Sequence, residues 1–158
     1  MGEIVSVQEL QSIRRHDRNI GKKVVFTNGC FDILHKGHVE YLTKAKALGD
    51  VLVVGINTDS SMRRIKGEKR PIISENERAY IVASLSPVDY VCLFDEETPR
   101  ELIRALVPDV LVKGADWDLN GIVGKDTVEQ SGGTVATIEL TAGLSTSNII
   151  ARILELYR

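Results

Sequence analysis

The chain has 158 residues, of which 43% are hydrophobic and 27% charged, and its 20 basic and 22 acidic side chains give a formal net charge of −2. That length suits one core-bearing domain, while the charge balance argues against a basic nucleic-acid binder or a polybasic membrane protein. No apolar run reaches the roughly 18 residues of a membrane-spanning helix, so neither nucleic acid nor membrane is expected as a partner.

Met1 to Val7 lack a basic segment followed by an apolar core, so no secretory signal is expected. Cys30 and Cys92 are the only cysteines, too few for a disulfide framework, and they suit a reducing cytoplasm. Ser6 with Glu9 is a capping-box signature for a first helix. Val24–Thr27 reads as a buried strand, followed by a helix from Gly37 to Leu48 that Gly49 ends. Val51–Ile56 is the second strand, and Ser74 with Glu77 opens the next helix. Asp89–Leu93 is the third strand. Thr98 with Glu101 then repeats the capping signature, with Pro99 at the first helical position. Asp109–Val112, a short helix over Asp126–Gln130, the strand Thr134–Ile138 and a helix from Ser145 to Leu156 complete the chain.

These strand runs do not alternate apolar with polar, as expected where helices cover both faces of a parallel sheet. One helix followed by five βα units predicts α/β architecture: a single doubly wound (Rossmann-like) domain with a five-stranded parallel sheet. Such sheets bind ligands beyond the carboxyl ends of their strands. In this winding the ends of the first and fourth strands are expected to flank one crevice.

The segment Thr27 to His38 leaves the first strand and opens a helix. Gly37 allows close backbone approach, and the first-turn amides favour an anion. His35 and His38 add donors to the same anion; the alternative is that one caps the helix and the other packs. A metal reading lacks the Cys, Asp and Glu neighbours that would complete a site. Asn57-Thr58-Asp59 ends the second strand, as a capped helix start or a ligand contact. Lys66, Lys69 and Arg70 form a basic loop, solvated or facing phosphate. In Lys113-Gly114-Ala115-Asp116-Trp117, Gly114 lets a nucleotide lie against backbone, Asp116 suits a hydroxyl or Mg²⁺, and Trp117 stacks on a ligand or covers the core. Ser145, Thr146 and Ser147 open the last helix, as a plain cap or a phosphate site. Cys30 reads as a packing residue rather than a nucleophile.

His35-Lys36-Gly37-His38 resembles the HxGH signature of the nucleotidyltransferase superfamily. The superfamily's second signature, ISSTxxR, appears as Leu144-Ser145-Thr146-Ser147-Asn148-Ile149-Ile150, with Ile150 in place of the arginine. With Lys66-Gly67-Glu68-Lys69-Arg70-Pro71 and Leu111-Val112-Lys113-Gly114-Ala115-Asp116, the chain from about Lys23 onward looks most like the D-glycero-β-D-manno-heptose 1-phosphate adenylyltransferase family. The resemblance implies a nucleotidyltransferase domain over residues 23–158, behind an N-terminal helix and lead-in over residues 1–22. It implies ATP and a sugar 1-phosphate as substrates, Mg²⁺ arriving with the ATP, and no dedicated metal site; a homodimer is left open.

By the same resemblance His35, His38 and Lys66 are catalytic. Asn28, Gly29, Cys30, Phe31, Gly37, Asn57, Asp59, Arg78, Gly114, Asp116, Ser145, Thr146 and Ser147 bind nucleotide, and Asp32, Lys69, Arg70, Lys113 and Trp117 bind the acceptor. For Arg78 the alternative is an ion pair with Glu75 or Glu77. One rival is a cytidylyltransferase acting on glycerol 3-phosphate or phosphoethanolamine; a rival of another class is a non-catalytic nucleotide-binding module. Leu140 stands where such cytidylyltransferases carry the arginine of an RTxGxST pattern, which favours ATP.

Overall fold

The computed structural model describes all 158 residues. In chain order the elements are β1 (Glu3–Ile4), α1 (Val7–Asn19), β2 (Val24–Gly29), α2 (Lys36–Lys46), β3 (Val51–Asn57), α3 (Asp59–Lys66), α4 (Glu75–Ala83), β4 (Tyr90–Phe94), α5 (Arg100–Leu106), β5 (Val110–Gly114), α6 (Lys125–Gln130), β6 (Thr134–Ile138) and α7 (Thr146–Tyr157). All strands are parallel, in the order β1-β4-β3-β2-β5-β6. No helix is long and apolar enough to cross a membrane.

The sheet therefore has six strands, not the five expected from the sequence. The additional strand is β1, two exposed residues paired with Tyr90 and Val91 at the β4 edge. Backbone alone holds it: Glu3 N donates to Asp89 O at 2.9 Å and Val5 N to Val91 O at 2.9 Å. Gly2 runs so close that a Cβ there would lie 2.6 Å from Val88 O. A strand with no buried side chain leaves no hydrophobic run to read. A second departure concerns α5. Its N-cap is Pro99, with no side-chain cap, and Glu101 instead pairs with Arg104 at 2.8 Å.

The continuous apolar runs follow from two covered faces. Along β2 and β3, Val25, Leu52 and Val54 point to a cluster with Leu42 and Ala45 of α2 and Val82 of α4. Val24, Phe26, Val51 and Val53 point the other way, to Leu10 of α1, Leu102 and Ile103 of α5, and Val128 of α6. Period-two alternation thus sends apolar residues to both sides. On the second face Arg14, almost wholly buried, donates from Nε and Nη2 to Val107 O at 3.1 and 2.9 Å, which anchors α1 to the end of α5.

The winding reverses at β2. Its register with β3 runs through to Gly29↔Ile56, but with β5 it stops at Phe26↔Leu111. Above that point Thr27 Oγ1 donates to Val112 O at 3.0 Å, and Tyr41 Oη lies 2.7 Å from Thr27 Oγ1 and 3.3 Å from Val112 O. These hydroxyls replace the missing strand pairing and hold the fork between β2 and β5 at a fixed opening, the usual ligand position of such sheets.

Candidate active site

A crevice of about 500 Å³ lies over this fork, at the carboxyl ends of the strands. The β2–α2 loop forms its floor. Phe31 is buried there with a left-handed φ of 49°, a conformation a non-glycine residue adopts at some cost and keeps only where its surroundings impose it. A Cβ at Gly29 would lie 2.9 Å from the Phe31 ring, so the tight loop needs glycine beside it.

His35 is the N-cap of α2 and His38 stands three residues on. His35 N donates to His38 Nδ1 at 3.3 Å, one half of a capping exchange built from imidazole, while His35 Nδ1 is buried without a partner. The rings stack with centroids 3.8 Å apart, and the Phe31 ring tilts against His38 at 5.3 Å. Burial, and secondarily the neighbouring His35, pushes His38 down to about 4; burial also lowers His35. Both are therefore neutral near pH 7. Because Nδ1 of His38 accepts, its proton sits on Nε2. Gly37 keeps the histidine platform open, since a Cβ would lie 3.0 Å from the His35 ring and 3.3 Å from Leu144.

Asp32 follows the same loop but does not offer its oxygens to a ligand. Its side chain is fully buried and accepts from Arg70 Nε at 2.6 Å, Ile72 N at 3.0 Å and Ile73 N at 2.9 Å. Burial resists its ionisation, but the two amides and the guanidinium outweigh that and hold the carboxyl below its ordinary range. Arg70 is thereby fixed at the crevice wall with its Nε occupied. Lys66, the last residue of α3, also lines the crevice, whereas Lys69 is exposed outside it.

Arg78 and Asp59 lie beneath the site rather than in it. Arg78 is fully buried, donating to Ile73 O at 2.9 Å, Cys30 O at 2.6 Å and Asp59 Oδ1 at 2.8 Å. It pairs with neither Glu75 nor Glu77; Glu75 accepts from Asp59 N at 2.6 Å and Glu77 from Ser74 N at 3.3 Å. Arg78 thus ties the β2–α2 loop to the head of α3, and both of its Nη groups and its Nε are engaged.

On the far side of the fork, Lys113 Nζ donates to Asn28 Oδ1 at 2.5 Å and sits 5.5 Å from the centre of the Trp117 ring. Burial lowers the Lys113 ammonium to about 8, with Asp116 opposing. Gly114 is required by crowding, as a Cβ would meet Asp116 Oδ1 at 2.6 Å and Leu140 at 3.2 Å. Ser145 caps α7, accepting from Asn148 N at 3.0 Å. Thr146 Oγ1 donates to Ile33 O at 3.0 Å and so locks α7 onto the β2–α2 loop. Ser147 is exposed at the crevice. Burial raises the Cys30 thiol in spite of Lys66 and Arg78, which keeps it protonated, and Asn57 Oδ1 lies 3.8 Å from its Sγ.

Most of the residues singled out in the sequence thus meet in one crevice; Asp59, Lys69 and Arg78 do not. The crevice also includes Tyr41, Ile65, Glu97, Thr98, Val123 and Leu144. Tyr41 was legible as the helical neighbour of His38 three residues on, and Glu97 and Thr98 as residues just past the end of a strand.

A family model described as cytidylyltransferase-like matches residues 26–152. The bifunctional protein HldE of Citrifermentans bemidjiense is 60% identical over 144 residues, which is 91% of this chain and 29% of that protein. The bifunctional protein HldE of Syntrophotalea carbinolica is 58% identical over 150 residues, 95% of this chain and 31% of that one. The chain therefore spans less than a third of the length of these relatives. Among solved structures, a lipopolysaccharide core biosynthesis protein from Thermoplasma volcanium superposes with a TM-score of 0.63 at 33% identity, over 77% of this chain and 98% of that one. Pantoate-beta-alanine ligase from Francisella tularensis shares the fold, with a TM-score of 0.62 at 16% identity over 98% of this chain and 80% of that one.

The histidine geometry has a direct spectroscopic consequence. A ¹⁵N-resolved NMR titration of the ligand-free protein should find His38 as the Nε2–H tautomer, neutral down to about pH 4. Unfolded, the same side chain takes up its proton near 6.5. Its contribution to stability is thus present above pH 6.5 and is lost as the pH falls towards 4. A midpoint near 6.5 in the folded protein, or the opposite tautomer, would contradict the burial and the hydrogen bond described.

Proposed function

We propose that this chain, which belongs to the cytidylyltransferase-like family, transfers AMP from ATP to D-glycero-β-D-manno-heptose 1-phosphate, releasing pyrophosphate and forming an ADP-heptose for lipopolysaccharide or other heptose-glycan synthesis. The observation that carries this reading is the neutral histidine pair at the head of α2, lining one crevice with the serine–threonine start of α7 that Thr146 docks beside it. The likeness to the HldE relatives and to the lipopolysaccharide core biosynthesis protein supports the acceptor.

In the reaction a phosphate oxygen of the sugar phosphate attacks the α-phosphorus in line. The bond from that phosphorus to the bridging oxygen breaks, and its electron pair leaves with pyrophosphate. The attacking oxygen is already anionic, so no general base is needed. Catalysis is then positioning plus stabilisation of charge on the α-phosphate. His38 Nε2–H and the first amides of α2 are the donors for that charge. Neutral imidazole donates without the cost of burying an imidazolium. Lys66 and Arg70 supply countercharge for the phosphates, and Asp32 acts through Arg70 by fixing its guanidinium.

No three His, Cys, Asp or Glu side chains converge to hold a metal. The crevice carboxylates are dispersed, with Asp116 after β5 and Glu97 after β4. That donor set fits a Mg²⁺ carried by the triphosphate with its own waters; when bound, the ion neutralises phosphate charge. Leu140 supplies an apolar wall beside Gly114, suited to a purine face, where a cytidylyltransferase reading calls for a cation.

Two measurements test this. His38→Ala should lower turnover by a factor on the order of 10² to 10³ with little change in ATP affinity, because the donor acts on charge that develops in the transition state. Near-normal turnover in the folded variant would overturn the role. Competition between ATP and CTP, with heptose 1-phosphate as acceptor, should favour ATP by at least about tenfold, which needs only ~1.4 kcal/mol of discrimination. A preference for CTP would overturn the adenylyl assignment and leave the histidine mechanism standing.

A further inference from the structure

The turn from β4 to α5 contains a capping signature that the fold leaves unused. Thr98-Pro99-Arg100-Glu101 has the right spacing, yet Thr98 does not cap α5 and Glu101 turns to Arg104. Glu97 and Thr98 instead stand exposed on the crevice wall. The residues on either side of them are tied down. Asp95 accepts from Thr58 Oγ1 at 2.5 Å and pairs with Arg64, Glu96 O accepts from Ser61 Oγ at 2.8 Å, and Pro99 is buried. The backbone carrying Glu97 and Thr98 is therefore held on both sides. A local rule broken at a fixed, solvent-facing position is a sign of function.

The sheet order shows which part of a ligand these side chains would meet. Leu140 stands at the β6 end of the crevice and Glu97 and Thr98 at the β4 end; between them at β2 lie the histidines and the start of α7, which Thr146 ties to Ile33 O. At about 4.8 Å per strand, β4 and β6 are roughly 19 Å apart. If the nucleotide base lies against Leu140, the acceptor lies towards β3 and β4. The other polar groups there are already committed. Asn57 Nδ2 donates to Ser61 Oγ at 3.0 Å, and Asp32 is saturated by three donors. Lys66 and Arg70 carry the positive charge that suits phosphate, whereas a carboxylate repels phosphate and accepts from hydroxyls.

We infer that Glu97 and Thr98 bind the hydroxyls of the acceptor sugar and so select a polyhydroxylated sugar phosphate over a simple alkyl phosphate. This rests on the sugar-phosphate transfer proposed above. The test is steady-state kinetics of the full chain with ATP and D-glycero-β-D-manno-heptose 1-phosphate. Glu97→Gln should raise KM for the sugar phosphate about tenfold and Thr98→Val about fivefold, while Thr98→Ser stays within about twofold. KM for ATP should stay within about twofold in all three variants, which also shows that the site remains folded. Unchanged sugar-phosphate KM in Glu97→Gln and Thr98→Val, or an equal rise in KM for ATP, would overturn the inference alone. No pyrophosphate release by the unsubstituted chain would overturn the transfer reading and this inference with it.

Discussion

Beyond Phe26 and Leu111 the strands β2 and β5 stop pairing, and a small hydroxyl knot takes over the work of holding them. Thr27, Tyr41 and the Val112 carbonyl bridge the fork where a ladder would otherwise run. The fork cannot close, because Val112 O is already an acceptor for both hydroxyls. It cannot open freely either, since separating the strands would leave buried polar groups without partners, at about 1–3 kcal/mol each. Two walls of the crevice hang from this point. The β2–α2 loop leaves from one prong, Lys113 and Gly114 stand on the other, and the Lys113–Asn28 bond joins the two above the knot.

Around that fork the chain separates charges saturated within the scaffold from charges that line the crevice. Arg78 and Asp32 are the most deeply buried charges near the site, and both are saturated from within. Removing a single partner would leave a buried charge uncompensated, a cost of several kcal/mol, so these residues behave as struts. Lys66 and Arg70 stand at the surface of the crevice, where a phosphate can reach them. The histidines form a third group, neutral by burial and oriented by a backbone amide rather than by a carboxylate. Arg70 and His38 are thus held in place at the crevice by the fold itself.

How much of this was legible in the sequence depended on how local the cause was. The histidine pair was readable because its geometry is set within one helical turn. The strands were readable because each is covered on both faces, which leaves unbroken apolar runs. Strand β1 was not, as Glu3 and Ile4 are exposed and held by backbone alone. Arg78 shows a different limit. Its helical neighbours Glu75 and Glu77 suggested a surface ion pair, but carbonyls from Cys30 and Ile73 capture it from below. The family resemblance makes Asp32 an acceptor contact, yet its hydrogen-bond partners lie some forty residues away in the chain. Thr98 carries a correct local signal that the buried Pro99 at the N-cap overrides.

In the transfer proposed, the crevice works by geometry and by donors aimed at the α-phosphate, with no covalent participation by the chain. Cys30 is consistent with that, since burial raises its thiol and leaves it a poor nucleophile. The stereochemical course at phosphorus tests it most directly. ATP made chiral at its α-phosphorus would be turned over with heptose 1-phosphate, and the configuration of the sugar-nucleotide product determined. A single in-line displacement predicts inversion. Retention would require two displacements through a nucleotidyl group on the protein, and would contradict the account.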